Sequence, residues 1–380
     1  CQPSLPVAGL EPKASKTPQN VVRFLRVIGG HWRCRSLRVS VTDDYAYRST
    51  EQMPTRAKVN DMSQPLALIF PGQGSQQLGM LRELAERYSV VGTTFEEASD
   101  ALGYDLWKVV QEGPEEALNS TACTQPALLT SSVAIWRVWQ ELEGPRPSVM
   151  AGHSLGEYSA MVCAGVMGFA EGVQLVRLRG EAMQEAVPAG EGGMAAILGL
   201  DDSAVEAACT SAAQGDVVSA VNYNSPGQVV IAGSKAAVER AIVACQEAGA
   251  KRALALPVSV PSHCALMRPA AERLAEAMQA IELRAPRYTV IQNVDAQAHA
   301  DVDTLRTRLI EQLYQPVRWS SCVEAMSEQG ANVFIECGPG KVLTGLNKRI
   351  VRGAKGLAVN DPDSLDAALE LARETLAGSA

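Results

Sequence analysis

The sequence predicts an α/β protein whose core is a mostly parallel sheet, interrupted by a smaller inserted α+β subdomain. Three observations predict it. From residue 62 onward, short apolar runs alternate with longer amphipathic ones, the rhythm of strand, crossover helix, strand. Between 193 and 258 that rhythm changes, and two strands follow one another directly between helices. A serine also stands between two glycines where an apolar run meets a helical pattern, in "SVMAGHSLGEYSAMVCAGV" at 148–166.

Taken in order, "LALIFPG" reads as a strand, "LGMLRELAERY" and "QPALLTSSVAIWRVWQEL" as helices, "PSVMAG" as a strand and "EYSAMVCAGV" as a helix. The altered stretch reads as "GMAAILGL" (strand), "DSAVEAACTSAA" (helix), "VVSAVNY" (strand), "GQVVIAG" (strand), "KAAVERAIVACQEAG" (helix) and "KRALALPVSV" (strand). That βαββαβ order is the split βαβ, ferredoxin-like signature, assigned here to 189–259. The α/β pattern resumes through "YTVIQNV" and "ANVFIECGPG", so 62–188 and 260–380 form one large subdomain around the insert. Clefts between two such parts are common ligand sites.

Residues 1–61 differ in kind. They carry ten Lys/Arg against five Asp/Glu, whereas 62–380 carry 24 against 37. They show no sustained period and are expected to be a disordered extension outside the fold. The alternative is an organellar transit peptide, because "VVRFLRVIGGHWRCRSLRVSV" is rich in arginine and lacks acids. Across the whole chain 47% of the 380 residues are hydrophobic, enough for a sizeable core, and no apolar run is long enough for membrane insertion. Nine scattered cysteines without CxxC pairs point to reduced thiols in a cytosol-like compartment rather than a zinc or redox site. The only basic surplus lies in 1–61, which argues against nucleic-acid binding.

Gly152-His153-Ser154-Leu155-Gly156 fits the G-x-S-x-G pattern of a nucleophile elbow, the hydrolase-like turn that pushes a serine out of a sheet. A side chain at either glycine would collide across so tight a turn. Ser154 starts its helix, so the Leu155 amide and the helix dipole can stabilise an oxyanion. A plain turn serine at a helix start is the competing reading. A serine nucleophile needs a base, and only His31, His153, His263 and His299 exist. His31 lies in the extension, His299 in the polar loop "DAQAHADVD", and His153 adjoins the serine, where neighbouring side chains point apart. His263, in "VSVPSHCALM" where the insert returns to the cleft, remains. The glycine-rich turn "FPGQGSQ" at 70–76 ends the first strand and can face the same cleft, with the Gln73 amide as a second oxyanion donor. No Gly-Lys-Ser/Thr follows it, which excludes a Walker loop.

"FPGQGSQ", "GHSLGEYSA", "VRLRGEAMQ", "NYNSPGQVVIAG", "VSVPSHCALM" and "ECGPGKVLTGL" occur in an order and spacing that resemble the malonyl-CoA:acyl carrier protein transacylases, over essentially 62–380 and close to the bacterial stand-alone type. The resemblance implies that Ser154 is the acylated nucleophile, His263 its base, and Gln73 and Leu155 the oxyanion-hole amides. It also implies that Gln312, in "LIEQLYQPVRW", orients the histidine through its backbone carbonyl. Arg179 would pair with the substrate carboxylate, and Asn222 and Asn224 would line the cleft. From the sequence alone Arg177 is nearly as good a candidate as Arg179, since an arginine in an amphipathic helix is usually solvated. The implied activity is ping-pong malonyl transfer from coenzyme A to the phosphopantetheine thiol of holo acyl carrier protein. The expectation is that no cofactor or metal is bound, that the coenzyme A thioester is the substrate, and that the protein is a monomer in the bacterial cytoplasm, or in an organellar matrix if 1–61 is a transit peptide.

The basic residues Lys341, Lys348, Arg349, Arg352 and Lys355 offer a docking patch for an acidic carrier, or simply a solvated helix face. The alternative activity is a serine hydrolase or thioesterase, which usually wants an acid between serine and histidine in chain order, and nothing nominates one. A patatin-type hydrolase would want an Asp-Gly turn, and the chain contains none.

Overall fold

The computed structural model describes residues 22–28, 31–37, 66–258 and 260–377. The chain forms two compact units, Cys1–Asn60 and Asp61–Ala380. In the first, β1 (Val22–Ile28) and β2 (His31–Leu37) pair antiparallel, from Val22 opposite Leu37 to Ile28 opposite His31. The sequence offers a reason in hindsight, since Gly29-Gly30 between two β-prone runs is a hairpin signal. The rest of 1–61, and with it the extension and transit readings, lies outside the described residues.

In the second unit β3 (Leu66–Phe70) and β4 (Val149–Gly152) come first. They are followed by β5 (Gly192–Leu198), β6 (Val218–Ser225), β7 (Gln228–Ser234) and β8 (Arg252–Ala255). The chain then adds β9 (Thr289–Ile291), β10 (Val333–Cys337) and β11 (Lys355–Val359). The large sheet has the order β11-β10-β3-β4-β9, and every pair in it is parallel. β3 is buried along its whole length: Leu66, Leu68 and Phe70 join one apolar cluster, Ala67 and Ile69 another. Helices therefore cover both faces, as a parallel sheet requires. The small sheet, order β6-β7-β5-β8, is antiparallel throughout. That is the order a split βαβ unit produces, and it has its own apolar core around Ile197, Val229 and Ile231.

Two elements are shorter than the sequence predicts. The helix expected over 78–88 is only Arg82–Arg87, because Gly79 and Leu81 take left-handed backbone angles (φ 77° and 63°) that break the preceding turn. β8 stops at Ala255, two residues before Pro257, which has no N–H to give a ladder. The chain released there runs to His263. β11 was not anticipated: it is a half-exposed edge strand, so its sequence lacks a buried strand's apolar run. Backbone bonds from Tyr223 N to Val317 O (3.0 Å) and from Val317 N to Val221 O (2.8 Å) fasten β6 to the segment before helix Trp319–Glu328.

Candidate active site

β3 and β4 are adjacent and parallel, with Phe70 opposite Gly152, so the loops that follow them leave the same edge of the sheet. The close approach of those loops explains both elbow glycines. A methyl group on Gly152 would lie 1.9 Å from the Gly156 carbonyl, and one on Gly156 would lie 2.0 Å from Phe70 O. Between them Ser154 takes φ 53° and ψ −108°, a strained conformation for a residue with a side chain. Asn293 supports it from the end of β9: its Oδ1 accepts from Ser154 N at 2.8 Å and its Nδ2 donates to Gly152 O at 2.8 Å. Helix Leu155–Cys163 begins immediately after. Gly156 N and Glu157 N bond His153 O and Ser154 O, while Leu155, first in the helix, has an amide with no intrahelical acceptor. Gly72 abuts the turn so closely that a methyl there would meet His153 O at 2.5 Å, which puts the neighbouring Gln73 beside the elbow.

Ser154 Oγ lies 2.7 Å from His263 Nε2. His263 Nδ1 lies 2.6 Å from Gln312 O. A carbonyl can only accept, so Nδ1 carries the proton and the Nε2 lone pair faces the serine hydroxyl. His263 also has a positive φ (64°) and is tied at its own N–H to Leu313 O, so the imidazole is fixed from both ends. Burial, reinforced by the positive charge of Arg179, pushes its pKa down to about 3, against the pull of the Gln312 carbonyl. The ring is a neutral acceptor at physiological pH.

Arg179, on helix Phe169–Glu185, is 1% exposed, and its placement differs from that of Arg177. Arg177 points outward to Glu181 and Leu102 O, whereas Arg179 Nη2 donates to Ser154 Oγ (3.3 Å) and Gln312 Oε1 (3.0 Å) and Nη1 to Gln125 Oε1 (2.8 Å). Its Nε has no partner, and no carboxylate pairs with it among the described residues. Burial lowers its pKa, though an arginine stays charged. A cation with no carboxylate in direct contact thus stands beside the serine hydroxyl.

The predicted residues meet to different degrees. Ser154, His263, Gln312 and Arg179 are joined by direct hydrogen bonds. Asn224 reaches the elbow through His153, whose Nε2 lies 2.8 Å from Asn224 Oδ1. Asn222 is buried where β6 bulges toward the Val317 bridge. Sequence reasoning missed Gln125, Asn293 and Glu157, because each works through partners distant in the chain. A separate polar hollow of about 450 Å³, lined by Arg82, Gln111 and Asp361 among others, contains none of the predicted site residues.

Residues 67–379 match the acyl transferase domain family. The chain is 60% identical over 303 residues to the malonyl CoA-acyl carrier protein transacylase of Salmonella typhimurium, covering 80% of this chain and 98% of that one. The chain belongs to this family. The Bacillus subtilis transacylase is 45% identical over 310 residues, 81% of this chain and 98% of its own. Among solved structures, an acyl carrier protein S-malonyltransferase from Vibrio cholerae superposes with a TM-score of 0.79 at 64% identity, covering 80% of this chain and 99% of that one. A type II PKS acyl-carrier protein in complex with its malonyl-transacylase gives 0.80 at 60% identity, with the same coverage. As a member of this transacylase family the protein is an acyltransferase.

Proposed function

We propose that the protein transfers a malonyl group from coenzyme A to the phosphopantetheine thiol of acyl carrier protein through a malonyl ester on Ser154. One observation carries this reading: a single hydroxyl, Ser154 Oγ, touches both a neutral imidazole (2.7 Å) and a buried guanidinium (3.3 Å). The imidazole suits a serine acyltransferase. The guanidinium suits an acyl group that ends in a carboxylate, which it can grip in a planar fork.

In the first half-reaction His263 Nε2 takes the Ser154 proton as Oγ bonds to the thioester carbonyl carbon. The oxyanion is held by the Leu155 and Gln73 amides. The carbon–sulfur bond then breaks, and the coenzyme A sulfur leaves with the proton from His263. The second half-reaction reverses these steps with the carrier thiol as nucleophile. Coenzyme A enters as substrate, and the chemistry calls on no resident cofactor. The seven cysteines whose side chains are described are free, which suits a reducing, cytoplasmic setting. No described helix is long and apolar enough to cross a membrane. The hydrolase alternative loses support, since the group facing His263 Nδ1 is the Gln312 carbonyl rather than an acid.

Intact-mass analysis after mixing with malonyl-CoA tests the proposal. A malonyl adduct on Ser154, absent in Ser154→Ala and transferred on adding holo carrier protein, is the expected result. A wild-type enzyme that forms no Ser154 adduct while still transferring malonyl would refute it.

A further inference from the structure

Glu157 is a buried acid that the proposed transfer does not use. It lies in the first turn of helix Leu155–Cys163, three residues after Ser154, and is fully buried. Its Oε1 accepts from Gln292 Nε2 at 3.0 Å, and its Oε2 accepts from Asn293 N at 2.8 Å and Gln312 Nε2 at 2.9 Å. All three partners are donors, an arrangement that suits a carboxylate and leaves a neutral acid's hydrogen unplaced.

Gln312 makes this acid relevant to the chemistry. Its backbone carbonyl holds His263, its Nε2 donates to Glu157 and to Ser154 O (2.9 Å), and its Oε1 accepts from Arg179. The amide orientation is unambiguous, since an arginine cannot accept and a carboxylate cannot donate. We propose that Glu157 is a positioning residue: as a carboxylate it fixes the Gln312 side chain, and through it the Arg179 guanidinium that receives the acyl group's terminal carboxylate. The last clause rests on the proposed malonyl transfer; the positioning itself does not.

The charged and titratable groups facing Glu157 are Arg179 from helix Phe169–Glu185, Asp295 after β9, Cys322 from helix Trp319–Glu328 and Tyr158 on its own helix. Arg179 is the cation among them. Burial raises the Glu157 pKa to about 7, although its three hydrogen bonds pull the other way, so acid and anion coexist in the neutral range. Once protonated, Glu157 offers a hydrogen to partners that also offer one. Asn293 contributes a backbone amide, so the partners that must readjust are the two glutamine side chains, Gln312 and Gln292.

The test compares Ser154 labelling by malonyl-CoA with labelling by a fluorophosphonate, a probe that needs Ser154 and His263 but not Arg179, across neutral pH. In wild type the malonyl-to-fluorophosphonate rate ratio should fall on the acid side of an ionisation near 7. In Glu157→Gln it should be about tenfold to a hundredfold lower and independent of pH. Gln312→Met keeps the carbonyl for His263 but cuts the link, and should lose the ratio likewise, which keeps the proposal testable if Glu157→Gln does not fold. Variants that keep the wild-type ratio and its pH dependence would overturn the proposal. A crystal structure of Glu157→Gln separates this proposal from the functional one: positioning by Glu157 requires the Gln312 Oε1 to Arg179 bond to be lost, whatever acyl group Ser154 accepts, and an intact bond refutes it.

Discussion

Arg179 is held out of water with its Nε unbonded and no carboxylate partner among the described residues. A dicarboxylic acyl group would supply that partner; an acetyl group would leave the guanidinium unmatched. The penalty of roughly 2–4 kcal/mol corresponds to about 30- to 1000-fold in discrimination. Arg179→Ala should therefore lose most of its malonyl-over-acetyl preference in kcat/KM, and Arg179→Lys should recover little, because a point charge cannot form the fork. Competition kinetics with the two thioesters reads this directly. Glu157 and His263 set opposite pH trends in stability. The Glu157 pKa is raised from 4.5 to about 7, so the folded chain keeps a proton that the unfolded chain has lost. Its contribution is present at low pH and disappears as pH rises through that window, by ~3 kcal/mol. His263 is lowered from 6.5 to about 3, so its contribution is lost as pH falls below 6.5. Glu157→Gln has no proton to lose and should gain stability relative to wild type as pH is raised from about 5 to about 8. Melting curves at the two pH values check this, and a constant difference would contradict it.

The elbow depends on contact between elements rather than on glycine flexibility. Because a methyl on Gly156 would meet Phe70 O at 2.0 Å, Gly156→Ala must push helix Leu155–Cys163 away from β3. Overpacking of this kind costs about 1–3 kcal/mol and would move Ser154 off His263, so urea melts and Ser154 labelling should both suffer. The elbow and the order of the elements were legible because G-x-S-x-G between a strand and a helix is a local pattern with one geometric solution. Helix Arg82–Arg87 and β8 came out shorter than their apolar periods suggest, since left-handed turns at Gly79 and Leu81 and the missing N–H of Pro257 override periodicity. β11 was illegible because edge strands are not uniformly apolar.

Across the whole acyltransferase unit, the site is assembled from stretches far apart in the chain. The elbow lies at 152–156, the arginine at 179, the imidazole at 263, Asn293 after β9 and the carbonyl at 312. Elimination among four histidines reached His263, but only the family resemblance distinguished Arg179 from Arg177; in the fold one faces Ser154 and the other faces Glu181. Glu157, Gln125 and Asn293 escaped notice because a buried polar network leaves no periodic trace in sequence, and each member is defined by partners up to 155 positions away. The parallel sheet brings these groups to one edge, and the antiparallel sheet contributes Asn224 through its bond to His153. The central claim is transfer through Ser154. Its most direct test is to isolate the malonyl-enzyme and follow the label with and without holo carrier protein. Rapid passage to the carrier thiol and slow release as malonate in its absence are expected. Malonate released equally fast with and without the carrier would contradict it.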